Sequence, residues 1–160
     1  MSGDGAPAVV IRGAVATDLP ELRRVYREAS LGNAGDAPML LARPELLVLA
    51  GEGVAEGRTR VAVPGRDPRA PVLGFATSAV AADGEPELED LFVDPRWQRR
   101  GIARLLVLDA ARSVRETGHR RLWVTGNPHA LGFYRAVGFL GDDAVATLLG
   151  EGLRLHLDVS

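Results

Sequence analysis

The stretch from Val93 to Ala103 combines residues that could bind an anion. An apolar run ends at Val93, a loop with three arginines follows, and apolar residues at helical spacing begin near Gly101. At such a junction the first amides of a helix have no partner within the helix, and they lie at its positive end. Small residues at Gly101 and Ala103 would let a phosphate or diphosphate approach the backbone. The same pattern also fits a solvated basic turn before an ordinary amphipathic helix. The arginines that would supply positive charge are Arg96, Arg99 and Arg100.

Two glutamates and a tyrosine could take part in proton transfer. Glu87 and Glu89 are two residues apart on one predicted strand, so regular alternation would place both side chains on the same face. A carboxylate within hydrogen-bonding reach can accept a proton from an ammonium group, and a tyrosine such as Tyr134 can donate one. Each also has an ordinary structural interpretation. The glutamates could be solvated or ion-paired, and Tyr134 could be a core aromatic beside Phe133 and Phe139.

The composition excludes several kinds of chemistry and partner. The chain has 160 residues and no cysteine, so disulfides, thiolate metal sites and a cysteine nucleophile are excluded. All 19 basic residues are arginine, which removes a lysine that could form a Schiff base. A formal net charge of -2 argues against a nucleic-acid partner. The spacing of the three histidines does not suggest a metal site.

The distribution of apolar residues gives no sign of targeting or of a membrane span. The N-terminal region lacks the basic stretch followed by an apolar stretch that a secretory signal has. No apolar run approaches the roughly eighteen residues that a spanning helix needs. We therefore expect a cytoplasmic protein that has no membrane partner.

Apolar periodicity and turn residues predict one α/β domain with a mixed sheet. Strands are predicted at Val9–Val15, Arg58–Val63, Val72–Val80, Glu87–Val93, Arg121–Thr125, Leu140–Leu149 and Leu153–Val159. Helices are predicted after Asp18, over Met39–Ala55, from Ile102 to a C-cap at Gly118, and after the pair Asn127-Pro128. The first seven residues are small and glycine-rich. We therefore expect a flexible N-terminus at residues 1–7 and a single domain at residues 8–160.

Two segments of the chain resemble the cofactor motifs of the GNAT superfamily of N-acetyltransferases. Residues 98–103, Gln-Arg-Arg-Gly-Ile-Ala, are similar to the family signature Q/R-x-x-G-x-G/A, and residues 88–95 resemble the family's preceding strand. Downstream, Asn127 and residues 132–139 resemble the second cofactor segment, N…A-x-x-F-Y-x-x-x-G-F. Two motifs in this order are far more specific than either alone. Together they cover residues 87–139.

This resemblance implies a fold and a co-substrate. The GNAT fold belongs to the α/β (α+β) class and has a mixed, mostly antiparallel sheet of about seven strands with about four helices. In that fold the strand ending at Val93 splays from the strand Arg121–Thr125, and the pantetheine arm of acetyl-coenzyme A enters the gap. Acetyl-coenzyme A is thus the implied co-substrate, and no metal is implied. The implied cofactor-binding residues are Leu91, Phe92, Val93, Gln98, Arg99, Arg100, Gly101, Ile102, Ala103, Asn127 and Tyr134.

The resemblance also implies a reaction. An acetyl group would pass to a primary amine of a small molecule or peptide by direct attack in a ternary complex. Glu89, or else Glu87, would be the base, and Tyr134 would protonate the departing thiolate. The Val93 amide would donate to the oxyanion of the intermediate. No motif identifies the acceptor, and because dimers are frequent in the family, a homodimer stays open.

Two other functions fit parts of the pattern. A non-catalytic sensor or interaction module could bind coenzyme A through the same loop, although glutamates and a tyrosine at catalytic positions argue against it. A nucleotide-binding protein could hold ATP there, but the sequence has no Walker pattern. Turnover of acetyl-coenzyme A with amines, compared with binding alone, separates the enzyme from the sensor.

Overall fold

Seven strands form a single sheet in a computed structural model, which describes residues 8–32, 37–65, 67, 69–147 and 150–160. The strands are β1 (Val9–Gly13), β2 (Thr59–Pro64), β3 (Gly74–Val80), β4 (Pro86–Val93), β5 (Arg121–Gly126), β6 (Leu140–Thr147) and β7 (Gly150–Asp158). Their order is β1-β2-β3-β4-β5-β7-β6, and only β4 and β5 pair in parallel. The predicted mixed, mostly antiparallel sheet is confirmed. The terminus predicted to be flexible, residues 1–7, lies outside the described residues.

Five α-helices lie in the described part of the chain, one more than the expected four. They are α1 (Leu19–Leu31), α2 (Ala37–Ala42), α3 (Glu52–Ala55), α4 (Ile102–Glu116) and α5 (Leu131–Val137). The extra helix arises because the single helix predicted over Met39–Ala55 was wrong. Pro44 begins a separate 3-10 turn, since proline has no N–H for a continuing helix and keeps Arg43 out of the helical region. Within the same described residues, no helix is both long enough and apolar enough to cross a membrane.

The two faces of the sheet carry separate apolar cores. On one face, α4 buries Ile102, Leu106 and Val107 against strands from the middle of the sheet. On the other face, α1 buries Leu22 and Val25 against β2 and β3. Because both helices are anchored by fully buried side chains, their positions relative to β4 are fixed. The loop before α4 and the cavity beside α1, which together form the candidate site, depend on these two helices.

A β-bulge interrupts β4 at Glu89. Thr77 of β3 pairs with Asp90 and the next residue, Ser78, pairs with Leu88, so Glu89 has no partner opposite it on β3. The strand therefore contains one residue more than its neighbour at this point. The prediction that Glu87 and Glu89 share one face assumed a regular strand, and the bulge removes that regularity.

The bulge also changes which residues face each core. Before it, Leu88 packs in the core beneath α4; after it, Leu91 and Val93 pack against that core. Phe92 packs instead in the core beneath α1. In a regular strand Leu88 and Phe92 would share a face. The extra residue thus sets the orientation of the last residues of β4.

The parallel strands β4 and β5 are paired over a short distance only. Two register pairs join them, Glu87 with Trp123 and Leu88 with Val124. Beyond these pairs, residues 89–93 of β4 have no partner on β5 in the described sheet. The splay that the resemblance implied is therefore confirmed, and it leaves one backbone edge of β4 open.

Candidate active site

The gap between β4 and β5 leads into a cavity of about 490 Å³. This volume is within the range of small-molecule sites. Its walls come from both strands, the second half of α1, α2, the turn after β5, α5, and the β6–β7 hairpin. The lining side chains with polar groups are Tyr26, Ser30, Glu89, Thr125, Asn127, Tyr134, Thr147 and Glu151.

Tyr134 lies at the junction of this cavity and the core. Its ring is 8% exposed and makes edge contacts with Phe133 and Phe139, so the ordinary interpretation as a core aromatic holds. The residue also lines the cavity. A Cβ placed on Gly126 would be 2.9 Å from the ring, so glycine at this position of β5 is what lets the ring lie against the strand. Burial raises the pKa of Tyr134 to about 12, so its hydroxyl stays protonated at neutral pH.

The two predicted bases have different surroundings. Glu89 lines the cavity, and its Oε2 accepts a hydrogen bond of 3.0 Å from Nη1 of Arg58. Glu87 is not among the lining residues. Its Oε1 accepts hydrogen bonds from Arg154 at 3.2 Å and from Thr125 at 3.4 Å. The structure therefore brings Glu89, but not Glu87, to the same cavity as Tyr134.

The second half of the loop between β4 and α4, together with the first turn of α4, leaves its backbone amides unpaired. Among the described residues, no amide from Gln98 to Arg104 donates to a protein acceptor, and the next bond runs from Leu105 N to Gly101 O at 3.1 Å. Arg99 and Gly101 have positive φ angles of 64° and 80°. These amides lie before and within the first turn of a 15-residue helix, whose N-terminal end adds positive potential. The loop has what an anion site requires.

The loop arginines do not act as a uniform basic patch. Arg96 forms a salt bridge of 3.0 Å with Asp94, so part of its positive charge is compensated within the loop. Arg100 lies over the ring of Trp97, with 4.7 Å between the guanidinium carbon and the ring centroid. Arg99 and Arg100 are exposed. These two arginines are therefore accessible to an anion in solution.

The backbone of β4 presents donors to the gap at alternate residues. The amide of Asp94 donates to the carbonyl of Leu73 at 2.8 Å, so it points towards β3. Successive amides of a strand point to opposite edges. Those of Val93 and Leu91 therefore point into the gap, and that of Phe92 points to β3. Leu91, Phe92 and Val93 were all predicted to bind the cofactor. The backbone amide of Phe92 does not face the gap, but Phe92 lines the cavity.

Asn127 has the structural role predicted for it. Its side chain caps the turn that starts at Pro128 by accepting a hydrogen bond of 2.8 Å from the amide of His129. The residue also lines the cavity. A contact with the pantetheine arm stays a prediction.

Sequence reasoning missed several residues of the site. Tyr26 and Glu151 line the cavity, and neither belongs to a recognisable motif. Asp94, which is 1% exposed, caps the loop by accepting from the amide of Arg96 at 2.9 Å. An aspartate directly before Pro95 is a helix-start pattern and could have revealed this cap. In the described residues no group of histidine, aspartate and glutamate side chains is arranged to hold a metal ion.

Comparisons with known proteins agree with this geometry. Residues 38–139 match the model of the family described as Acetyltransferase (GNAT) family. No curated protein sequence matches the chain. The ribosomal-protein-S18-alanine N-acetyltransferase from Escherichia coli superposes with a TM-score of 0.66 at 20% identity, over 96% of this chain and 95% of that one.

Two solved structures with coenzyme A are also similar. PaiA N-acetyltransferase from Thermoplasma acidophilum gives a TM-score of 0.67 at 18% identity, over 94% of this chain and 99% of its own. YhbS from Escherichia coli gives 0.65 at 21% identity, over 100% and 86%. At these identities the likeness establishes the shared fold.

Proposed function

Because the chain belongs to the acetyltransferase (GNAT) family, we propose that it transfers the acetyl group of acetyl-coenzyme A to a primary amine of a small molecule or peptide. One observation carries the proposal. The open edge of β4 borders a cavity lined by Glu89 and Tyr134, and the unpaired amides lie in the segment that directly follows this strand.

The co-substrate fits the described backbone in two places. The amides from Gln98 to Ala103, with Arg99 and Arg100, would bind the diphosphate at the positive end of α4. The pantetheine arm would add to the open edge of β4 by pairing with the backbone of Leu91 and Val93. Val93 would then direct its N–H at the thioester carbonyl.

The first chemical requirement is an uncharged amine. An alkylammonium with a pKa near ~10.4 is neutral in only about one molecule per thousand at pH 7.4, which costs about 4 kcal/mol. Glu89 would accept the ammonium proton, directly or through water. The nitrogen then attacks the thioester carbon, and the amide of Val93 stabilises the oxyanion.

The second requirement is departure of the thiolate. Tyr134 has a pKa of about 12, whereas a thiol is near ~8.5. Complete proton transfer from Tyr134 to the thiolate would therefore cost about 5 kcal/mol. The hydroxyl would act mainly by donating a hydrogen bond to the departing sulfur. A hydrogen bond to a charged group contributes about 1.5–3 kcal/mol.

The charge of the cavity supports a cationic acceptor. Its lining includes the carboxylates of Glu89 and Glu151; Arg58 compensates part of the charge of Glu89 at 3.0 Å, whereas Glu151 has no salt bridge with a described residue. A carboxylate on the acceptor would meet repulsion there, whereas a second ammonium would be attracted.

The proposal is tested by thiol release from acetyl-coenzyme A with a panel of alkylamines, diamines and amino acids. We expect turnover, with the highest kcat/KM for amines that lack a carboxylate. Binding of coenzyme A without turnover of any amine would favour the sensor or interaction module. Preference for amino acids would contradict the charge argument.

Replacing Glu89 with glutamine should lower kcat/KM at pH 7.4 by about a hundredfold and shift the pH–rate profile to higher pH. Without the carboxylate, reaction depends on amine already neutral in solution, a population that rises about tenfold per pH unit below the amine pKa. The profile of initial rates between pH 6 and pH 10 measures this shift. Glu87→Gln is the matched control, because Glu87 does not line the cavity. If Glu87→Gln moves the profile instead, the base is Glu87.

A further inference from the structure

Arg24 of α1 is hydrogen-bonded to three different parts of the chain. Within the helix, its guanidinium contacts Glu21 at 2.7 Å and Glu28 at 3.0 Å. Its Nη1 also donates to Oδ2 of Asp94 at 2.9 Å, and its Nη2 donates to the carbonyl of Val72 at 3.3 Å. The guanidinium therefore joins α1 to the start of the loop that precedes α4.

Asp94 fixes the course of that loop on both sides. Its amide donates to the carbonyl of Leu73, which directly precedes β3, and its carbonyl accepts from the amide of Trp97 at 2.8 Å. Its Oδ1 accepts from the amide of Arg96 at 2.9 Å. Burial would raise the pKa of Asp94, but hydrogen bonds from Arg96 and Arg24 outweigh that effect and lower the pKa to about 2. The carboxylate is thus charged and buried at neutral pH, and it depends on these partners.

Of the two arginines that neutralise Asp94, only Arg24 is held in place by the fold. The Arg96 side chain is 69% exposed and lies in the loop itself, whereas that of Arg24 is 26% exposed and extends from a helix with a buried core face. A buried carboxylate that loses one of its partners is costly to keep charged. Without Arg24, the only arginine paired with Asp94 would be Arg96, which belongs to the loop itself.

The same helix forms a wall of the acceptor cavity. Tyr26, Ala29 and Ser30 follow Arg24 on α1 and line the cavity. At the end of α1, a Cβ on Gly32 would be 3.8 Å from the ring of Pro95 in the loop. Glu28 of α1 also lies 4.0 Å from Nη2 of Arg96 in the loop, so α1 approaches the loop through Arg24, Glu28 and Gly32.

We propose that Arg24 is a positioning residue for the diphosphate site. Through Asp94 it holds the start of the loop, so that the amides from Gln98 to Ala103 keep one orientation towards the anion. It also ties the wall of the acceptor cavity to that site. This inference rests on the proposed function, because it assumes that the loop binds the diphosphate of coenzyme A.

The test measures the affinity of Arg24→Gln by titration calorimetry with two probes. Coenzyme A carries the diphosphate and the pantetheine arm, and 3′-phosphoadenosine 5′-diphosphate carries the diphosphate without the arm. We expect both affinities to fall on the order of tenfold and by the same factor, since the change is at the diphosphate. Asp94→Asn should give the same result, which keeps the test available if Arg24→Gln does not fold.

Arg60→Gln is the matched control. Arg60 and Asp109 form a comparable pair, with two hydrogen bonds of 3.0 Å and an aspartate side chain that is 8% exposed. Neither residue lines the cavity or belongs to the loop. We expect a similar loss of Tm with both affinities unchanged.

Three results would overturn the inference. They are wild-type affinity in Arg24→Gln or Asp94→Asn, equal weakening in Arg60→Gln, and weakening for coenzyme A but not for the diphosphate probe. If the wild-type protein itself does not bind coenzyme A, the proposed function fails, and the two failures are thereby distinguished.

Discussion

Gly101→Glu should reduce the affinity for coenzyme A by about a thousandfold. Gly101 precedes α4 with a φ of 80°, and a Cβ there would meet no protein atom within 4 Å. The new side chain would therefore project into the space where the diphosphate is proposed to bind. Two like charges about 4 Å apart near a protein surface repel by about 4 kcal/mol, which corresponds to that factor. Titration calorimetry with coenzyme A measures it.

Gly118→Glu separates this repulsion from backbone strain. Gly118 has a φ of 88° and equally open surroundings, and it follows the other end of α4. Both variants acquire a non-glycine residue in the left-handed region, at roughly 1–2 kcal/mol each. We expect similar losses in the free energy of unfolding, and normal coenzyme A affinity in Gly118→Glu. Unchanged affinity in Gly101→Glu would mean that the loop does not bind the diphosphate.

Tyr134→Phe should lower kcat between about tenfold and a hundredfold while changing coenzyme A affinity little. The expected factor follows from losing one hydrogen bond to a departing thiolate, about 1.5–3 kcal/mol. Phenylalanine keeps the ring contacts with Phe133, Phe139 and the backbone of Gly126. Steady-state kinetics with the best amine from the panel, together with calorimetry on coenzyme A, separate the two effects.

The thermal stability of Tyr134→Phe serves as its control. If Tm is unchanged and kcat falls, the hydroxyl contributes to the reaction and not only to packing. Wild-type kcat would leave Tyr134 as a structural residue. Equal losses in kcat and in coenzyme A affinity would place its main contribution in binding the co-substrate.

The features that sequence could predict are those with a local cause. The strand that ends at Val93, the helix that begins at Ile102 and the cap at Asn127 each depend on neighbouring residues, and each is present. Hydrophobic period and capping chemistry are expressed within one or two turns of chain. The loop before α4 could therefore be located, and its motif linked it to a family.

The features that sequence could not predict depend on contacts between distant segments. The bulge at Glu89 is a property of the register between β3 and β4, which alternation along one strand does not reveal. Arg24 and Asp94 are 70 residues apart, and neither their types nor their spacing indicate that they meet. The pairing of Arg96 with Asp94 was not predicted for the same reason, because the burial of this aspartate depends on the fold.

The short pairing of β4 with β5 has a consequence for catalytic turnover. Hydrogen bonding divides the sheet into a four-stranded half and a three-stranded half, joined through two register pairs. Under the proposed function, the pantetheine arm would pair with the open edge of β4 at Leu91 and Val93 and would leave the facing edge of β5 unpaired. Because this pairing uses the backbone of only two residues, release of the product would break few backbone hydrogen bonds.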